Sequence, residues 1–318
     1  MNWSAVGRVL VWLLVGCGVL LAPLPYVDAG GPLPTVQAVL PVVGLFGLAV
    51  AALALLVRAR LAAALAVVAA LALLAPALPL APRPDTPAAG GDLRVVTLNT
   101  EFGQADPTGV VKAVHTRDAD VLVLLEATPA HWAALKAHGL RSLLPHATGT
   151  VHGSAAGTVV ATREPVTCPD PATACGRVVT ATRAADEPFS QVDVRLPDGT
   201  VVRGAHPFPP VGQGERSWRL SLGRLDRWIH QVHAGERIVV TGDFNAGPVH
   251  PAFRRIADGL VQAPRAWPWQ PTWPQESGVP PFVQIDHVLA RGFAVAEEGT
   301  FLVPGTDHAG VSATLRPR

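Results

Sequence analysis

Polar and apolar positions are spread unevenly along the 318 residues, and the first change of pattern falls near residue 82. Before it only Arg8, Asp28, Arg58 and Arg60 carry charge, a distribution no water-facing surface needs. Three apolar stretches separate, roughly residues 6–23, 35–57 and 61–80, each close to the ~20 residues a helix needs to cross a hydrocarbon core. The pattern predicts three transmembrane helices within residues 1–81. The first stretch begins like a signal peptide, but no small-x-small site leads into a polar mature start and further apolar stretches follow, so its retention is expected. The loop at residues 23–34 has no Lys or Arg, whereas Arg58-Ala59-Arg60 joins the second and third stretches. Basic residues favour the cytoplasmic side. A multi-pass protein of the cell membrane follows, with everything after the third helix extracytoplasmic.

Residues 82–91, with Pro82, Pro84 and Pro87, read as a short linker. Beyond it, residues 92–318 alternate short apolar runs with helical periodicities. Strands are expected at Leu93–Leu98, Asp120–Leu125, Leu140–Pro145, Gly157–Thr162, Ile238–Val240, Phe282–Leu289 and Val311–Leu315. Phe189–Leu196 and Thr200–Ala205 flank Pro197-Asp198-Gly199 as a hairpin. Helices are expected at Pro107–Thr116, Pro129–His138, Glu215–His233 and His250–Ala257; in the third, Trp218, Leu222, Leu225 and Ile229 share one face. Ala263–Pro281 reads as a long ordered loop whose Trp267, Trp269 and Trp273 either line a pocket or cover a sheet.

Charge narrows the partners. From Asp92 onward there are 21 Lys plus Arg against 22 Asp plus Glu, a balance of −1, with no long basic run. A dedicated nucleic-acid binder carries a basic face, so nucleic acid is a possible partner that the charge does not favour. No protein partner is identifiable. Cys168 and Cys175 are the only cysteines outside the apolar segments, and an exported compartment lets them pair. A Cys/Cys metal site is the weaker reading because no His or further Cys lies close by.

The candidate chemistry collects at strand ends. In chain order the polar residues there are Asn99, Glu126, His206, Asp243, Asn245, Asp286 and Asp307-His308. Carboxylates and amides suit a hard divalent cation, and imidazoles exchange protons near neutral pH. The corner Gly242-Asp243-Phe244-Asn245-Ala246-Gly247 follows an apolar run, with two glycines that permit close approach and sharp turning. No Gly-rich phosphate loop with an adjoining Lys appears, and Ser154 is not in a nucleophile elbow. His131, Trp132, His230 and His233 read as packing or surface residues. Arg163, at a strand end, is either a surface residue or a phosphate contact.

The succession Leu98-Asn99, Leu125-Glu126, Ala205-His206-Pro207, Gly242-Asp243-Phe244-Asn245, Thr272-Trp273, Ile285-Asp286-His287 and Thr306-Asp307-His308 resembles the endonuclease/exonuclease/phosphatase superfamily. The resemblance covers residues 92–318. It implies a four-layer α/β sandwich, two packed mixed sheets with helices outside, that hydrolyses a phosphate ester with Mg²⁺ or Mn²⁺. It further implies Glu126 as principal metal carboxylate, with Asn99 and Asp307 beside it. Asp243 would orient water and Asn245 touch a phosphate oxygen. His308 would pair with Asp286, and His206 would meet a nonbridging or leaving oxygen. Thr272-Trp273 either packs or touches substrate, and His287 stands where an aromatic residue is common. The expected protein is an anchored phosphodiesterase, with a nuclease, a phospholipid-headgroup or phosphomonoester hydrolase, or a noncatalytic module retaining the fold as alternatives.

Overall fold

The computed structural model describes residues 3–78, 87, 89–169, 175–181, 189, 191–265 and 269–318. Most of the expected linker therefore lies outside the described residues, as do Trp267 and the tip of the Cys168–Cys175 loop.

The apolar N-terminal segment forms three helices, α1 (Trp3–Leu21), α2 (Leu33–Leu56) and α3 (Arg60–Leu74). They pack through small and β-branched residues: Val11, Val15, Ala51, Ala54, Ala62 and Ala66 are buried among them. Gly44 lets α2 approach α3 closely, since a Cβ there would lie 2.8 Å from Leu74 and 3.1 Å from the Ala70 carbonyl. The outward faces are apolar, with Leu13, Leu20, Phe46, Leu55 and Val68 exposed. Three full-length spans are not what forms. The first two helices are long and apolar enough to cross a membrane, but α3 has 15 residues. At 1.5 Å per residue it covers only about 22 Å.

The remainder is built from β1 (Leu93–Asn99), α4 (Pro107–Thr116), β2 (Val121–Leu125), α5 (Pro129–Ala137), α6 (Leu140–Leu143), β3 (His146–Val151) and β4 (Thr158–Thr162). β5 (Val178–Thr180), β6 (Val192–Arg195), β7 (Val201–Ala205), α7 (Glu215–Arg227) and β8 (Ile238–Asp243) follow. The chain closes with α8 (Pro251–Ile256), β9 (Val261–Ala263), β10 (Asp286–Arg291), β11 (Phe293–Phe301) and β12 (Gly310–Pro317). One sheet has the order β11-β12-β1-β2-β4-β3-β5 and the other β6-β7-β8-β10-β9. Both are mixed.

Strand alternation explains the four layers. In β2, Val121, Val123 and Leu125 point to the core between the sheets, where they meet Val194, Val202, Val239 and Val288. Leu122 and Leu124 point the other way, against Val110 and Val114 of α4 and Leu135 of α5. On the far side Trp218, Leu222 and Leu225 of α7 join Phe253 of α8 against Val240 and Leu289. The helix starts are set locally: the Asp106 side chain accepts from the Thr108 and Gly109 amides, and Thr128 accepts from the His131 amide, each followed by proline.

Leu140–Pro145 is not a strand. Gly139, at φ 92°, ends α5, and a helical turn then carries Leu140 and Leu144 into the core on the α4–α5 side. The pairing strand is displaced to β3, and β5, β9 and β11 add to the expected set. Cys168 and Cys175 form a disulfide with Cα atoms 5.6 Å apart.

Candidate active site

Strand register places the polar residues. β1 and β2 run parallel with Asn99 opposite Leu125, so Asn99 and Glu126 leave neighbouring strand ends. β7 and β8 run parallel with Ala205 opposite Gly242, which sets His206 beside Asp243. β10 is antiparallel to β8 and pairs Asp286 directly with Asp243. β12 is antiparallel to β1, so residues 306–308 arrive at the same edge, where the Thr306 hydroxyl donates to the Asn99 carbonyl at 2.8 Å. Both sheets deliver their polar ends to one side of the sandwich.

The corner after β8 needs its glycines. A Cβ on Gly242, at φ 146°, would lie 2.1 Å from the Ala205 carbonyl oxygen, and one on Gly247 would lie 2.0 Å from that of Gln284. Glu126 and Asn245 themselves take positive φ, 55° and 46°. Such strain in non-glycine residues persists where the surroundings enforce it. Here the Phe244 amide donates to the Ile285 carbonyl at 2.8 Å, Trp218 Nε1 donates to the Asn245 carbonyl at 3.0 Å, and His287 Nε2 lies 3.1 Å from the Ala246 carbonyl. His287 is buried against Phe253 and Phe244, so it supports the corner from behind.

Asp243 sits at the centre. Its Oδ1 accepts from the Asn245 amide at 2.7 Å, and its Oδ2 accepts from Asn99 Nδ2 at 3.2 Å. Asn99 Nδ2 also donates to Glu126 Oε1 at 3.1 Å, and the Phe102 amide donates to Glu126 Oε2 at 3.0 Å. Asn245 Nδ2 donates to the Pro207 carbonyl at 3.0 Å, tying two site loops together. His308 Nδ1 donates to Asp286 Oδ2 at 2.9 Å, while its Nε2 lies 3.8 Å from Asp243 and 3.7 Å from Asp307. His206 Nε2 lies 3.6 Å from Asp243 and 3.8 Å from Glu126. Phe189 stacks on the His206 ring at 4.3 Å.

Burial grades the site. Asn99, His206, Asp243, Asp286 and His308 are buried, whereas the Asp307 carboxylate is 33% exposed and that of Glu126 12%. Burial raises the Asp243 pKa to about 7; the His308 charge opposes that rise and Asp286 adds to it. Burial works against a charge on His308, but Asp286 and Asp243 outweigh it and raise its pKa to about 10. His206 is pushed down to about 3 by burial and then by the charge on His308, so it is neutral. Glu126 is raised, chiefly by burial, with Asn99 and the Phe102 amide lowering it in part.

Two supporting residues, Glu101 and Phe189, stand outside the sequence motifs, and a third, Thr306, opens one without a role of its own. Glu101 Oε2 accepts from the Asp307 amide at 2.7 Å. Thr306 joins the Asn99 carbonyl to the His308 amide. Phe189 forms the wall behind His206. Glu101 lies two residues after Asn99, and that spacing was its only sequence signal. Thr272 and Trp273 hold other site residues: the Thr272 hydroxyl accepts from the Ile285 and Asp286 amides, and Trp273 Nε1 donates to Asp307 Oδ2 at 2.8 Å. Arg163 is not a phosphate contact. It pairs with Asp118 and Asp120 before β2, at the opposite end of the sheet from Glu126.

Two mixed sheets with outer helices, carrying acids, amides and an Asp–His pair along one edge, define a phosphoesterase-like α/β sandwich. Residues 96–308 match the model of the Endonuclease/Exonuclease/phosphatase family, and the chain belongs to that family. Its members are generally hydrolases of phosphate esters. Among solved structures, humanized D. rerio TDP2 with 14 mutations aligns with a TM-score of 0.54 at 14% identity, over 71% of this chain and 99% of that one. A functionally unknown conserved protein from Enterococcus faecalis V583 aligns with a TM-score of 0.51 at 13% identity, over 71% and 100%. An endonuclease/exonuclease/phosphatase from Beutenbergia cavernae DSM 12333 is 22% identical with a TM-score of 0.48, over 71% and 72%. None of the curated proteins matches the sequence. At these identities the likeness concerns the fold.

Proposed function

We propose that the protein is a membrane-anchored, divalent-metal-dependent phosphodiesterase that cleaves its ester with activated water. The observation that carries this reading is the meeting of Asp243, the Asp286–His308 pair, His206, Asn99 and Glu126 at one edge.

The donor set fits a hard cation. Four carboxylates gather around two imidazoles, Asp243, Asp286 and Asp307 about protonated His308 and Glu126 and Asp243 about neutral His206, and among the described residues no Lys or Arg ion pair reaches them. Carboxylate oxygens that each take one hydrogen bond keep a lone pair for a metal. Glu126 and Asp307 reach solvent, so they and Asn99 would hold Mg²⁺ or Mn²⁺. Asp243, Asp286 and His308 also bring ligand-type atoms within 4.8 Å of one another. That trio serves proton and phosphate chemistry instead, because Asp286 occupies Nδ1 of a protonated imidazole. A bound cation supplies positive charge that polarises the phosphoryl group.

The chain's own groups do the rest. Asp243, fixed through Oδ1 by the Asn245 amide and with a pKa near 7, orients the attacking water and takes its proton. His308, oriented by Asp286, donates from Nε2 to the phosphoryl group. Neutral His206 donates to a nonbridging or leaving oxygen. Asn245 holds the corner to the Pro207 loop and borders the phosphate position.

Membrane anchoring rests on α1 and α2. Arg8 Nε donates to the Val57 carbonyl at 3.3 Å, which gathers Arg8, Arg58 and Arg60 at one end of the bundle. The Tyr26 hydroxyl donates to the Ala72 carbonyl at 3.0 Å, so the short α3 returns the chain to the other end, where the catalytic domain begins. Positive residues on one end and the catalytic domain on the other support an extracytoplasmic site.

The test is hydrolysis by the purified full chain in detergent, with and without Mg²⁺ or Mn²⁺, across nucleic acid, phospholipid, bis(p-nitrophenyl) phosphate and phosphomonoesters. Metal-dependent turnover of a diester is expected. A folded, metal-loaded protein inert across that panel would overturn the enzyme reading, and a reporter fused after Gly91 that is active only in the cytoplasm would overturn the topology.

A further inference from the structure

The anchor does not merely tether the catalytic domain. The loop between α1 and α2 is bound to it: Asp28 pairs with Arg219 of α7 at 2.7 Å and with Arg255 of α8. Arg254 Nη2 donates to the Pro25 carbonyl at 2.7 Å, and the Thr35 hydroxyl donates to the Pro210 carbonyl at 2.9 Å. His250, fully buried, has Nε2 3.0 Å from the Pro34 carbonyl and Nδ1 3.0 Å from the Gly247 amide. One imidazole thus joins the first turn of α2 to the catalytic corner. A further cavity of about 230 Å³ lies between Pro76–Leu78, just past α3, and Pro248, Arg254 and Gln284.

These contacts share one location in the fold. Pro210 and Arg219 follow the exit of β7, Pro248 to Arg255 follow the exit of β8, and Gln284 precedes the entry of β10. β7 and β8 are parallel and β10 is antiparallel to β8, so all lie at the end of the sandwich that carries His206, Asp243 and Asp286. The bundle holds the domain by its catalytic end.

A second, independent feature lies at that end. Among the described residues after 91, the large apolar side chains more than half exposed are Phe102, Val211, Leu220, Val232, Val279 and Leu302. Phe102 follows β1, Val211 follows β7, Val279 precedes β10 and Leu302 follows β11, which is antiparallel to β12. These four therefore rim the catalytic end. Exposed apolar groups gathered on one rim, beside membrane-type helices, suit an interface with acyl chains.

We propose that the catalytic edge faces the bilayer and that the substrate is a phospholipid-headgroup phosphodiester presented at its surface, with the Asp28 clamp setting the domain's tilt and Val211, Val279 and Leu302 entering the interface. The proposal rests on the phosphoesterase reading and on α1 and α2 spanning the membrane. In the reaction the water oxygen bonds to phosphorus and the phosphorus–oxygen bond to the leaving alcohol breaks. The proton of water passes to Asp243, and a proton from His308 or solvent reaches the leaving oxygen. The products are a phosphomonoester and an alcohol, with no redox partner.

The test uses the full chain reconstituted in phosphatidylcholine–phosphatidylglycerol vesicles with Mg²⁺. Phosphomonoester or alcohol released from the lipid is compared with hydrolysis of soluble bis(p-nitrophenyl) phosphate, and resistance to carbonate extraction checks insertion. In Asp28→Ala and in the triple variant Val211→Ser, Val279→Ser, Leu302→Ser, lipid hydrolysis should fall roughly tenfold or more while soluble turnover stays within about twofold. Retained soluble turnover shows that each variant is folded. Soluble turnover without lipid turnover in the parent, equal losses on both substrates, unchanged lipid turnover in both variants, or extraction by carbonate each overturns the inference while leaving the phosphoesterase reading in place. Inactivity on both substrates overturns the two together.

Discussion

Replacing Asp243 by Asn should make the protein more stable and nearly inactive. The side chain is 2% exposed, and its pKa of about 7 lies roughly 3 pH units above the ordinary 3.8. Below 3.8 the group is protonated in both states and contributes nothing; between 3.8 and 7 the unfolded chain loses its proton first, so the fold loses stability as pH rises. At 1.36 kcal/mol per pH unit, the ionised carboxylate costs the metal-free fold about 4 kcal/mol above neutral pH. Asn keeps an oxygen for the Asn245 amide but sets an N–H where the carboxylate accepted from Asn99, which forfeits about 1–2 kcal/mol. A net gain of about 2 kcal/mol remains, or some 4–8 °C in Tm for a domain of this size. Thermal unfolding with chelator at pH 8 measures it, because a bound cation would mask the repulsion. In the same variant kcat should fall by about 10²–10⁴ for want of a base. A lower Tm with chelator, or turnover within tenfold of the parent, would refute the assignment of Asp243 as a buried, energetically costly base.

Other outcomes follow from neighbouring residues. Asp286→Asn should lower kcat by about 10²–10⁴ with KM changed little, because His308 loses both its orientation and the carboxylate that does most to hold it protonated; steady-state kinetics read the split. Trp273→Phe removes the indole donor to Asp307 and should weaken activation by Mn²⁺ about 10- to 100-fold, measured by metal titration of activity. His250 and His287, lowered by burial to about 4 and about 3, are neutral in the fold. The unfolded chain protonates them first, so stability should fall as pH drops from 6.5 toward 4, at up to about 1.4 kcal/mol per pH unit per histidine. Denaturant titrations at pH 7.5 and 5 check the slope, and a His287→Phe chain with an unaltered slope would contradict it.

Much of the scaffold was legible because local periodicity carries it. Pro107–Thr116 is a helix at the expected bounds, since proline, an Asp cap and spaced valines agree within ten residues. The runs ending at Asn99, Glu126 and Asp243 are buried strands, because continuous apolar segments between turn residues have few other uses. Leu140–Pro145 misled for the same reason: two leucines four apart suit a helical turn as well as a strand, and only the α4–α5 core chose between them. The end of α3 had a local cause that its hydropathy masked, the proline at position 76. Its apolar run looks like a span, but the helix stops after Leu74 and the chain turns at Pro76–Ala77 toward α8.

The inventory of chemistry and the strand ends that would deliver it are written in the sequence, because residue type and a period of two or 3.6 are local properties. Which of those groups meet depends on long-range pairing. The parallel register of β1 with β2 and of β7 with β8 set Asn99 beside Glu126 and His206 beside Asp243; the antiparallel return of β10 put Asp286 within reach of His308. Arg163, equally plausible as a strand-end residue, went to the opposite edge because β4 runs antiparallel to β2. The joining of Pro34 to the catalytic corner through His250 spans 216 positions in the chain, and no local pattern announces a contact of that range.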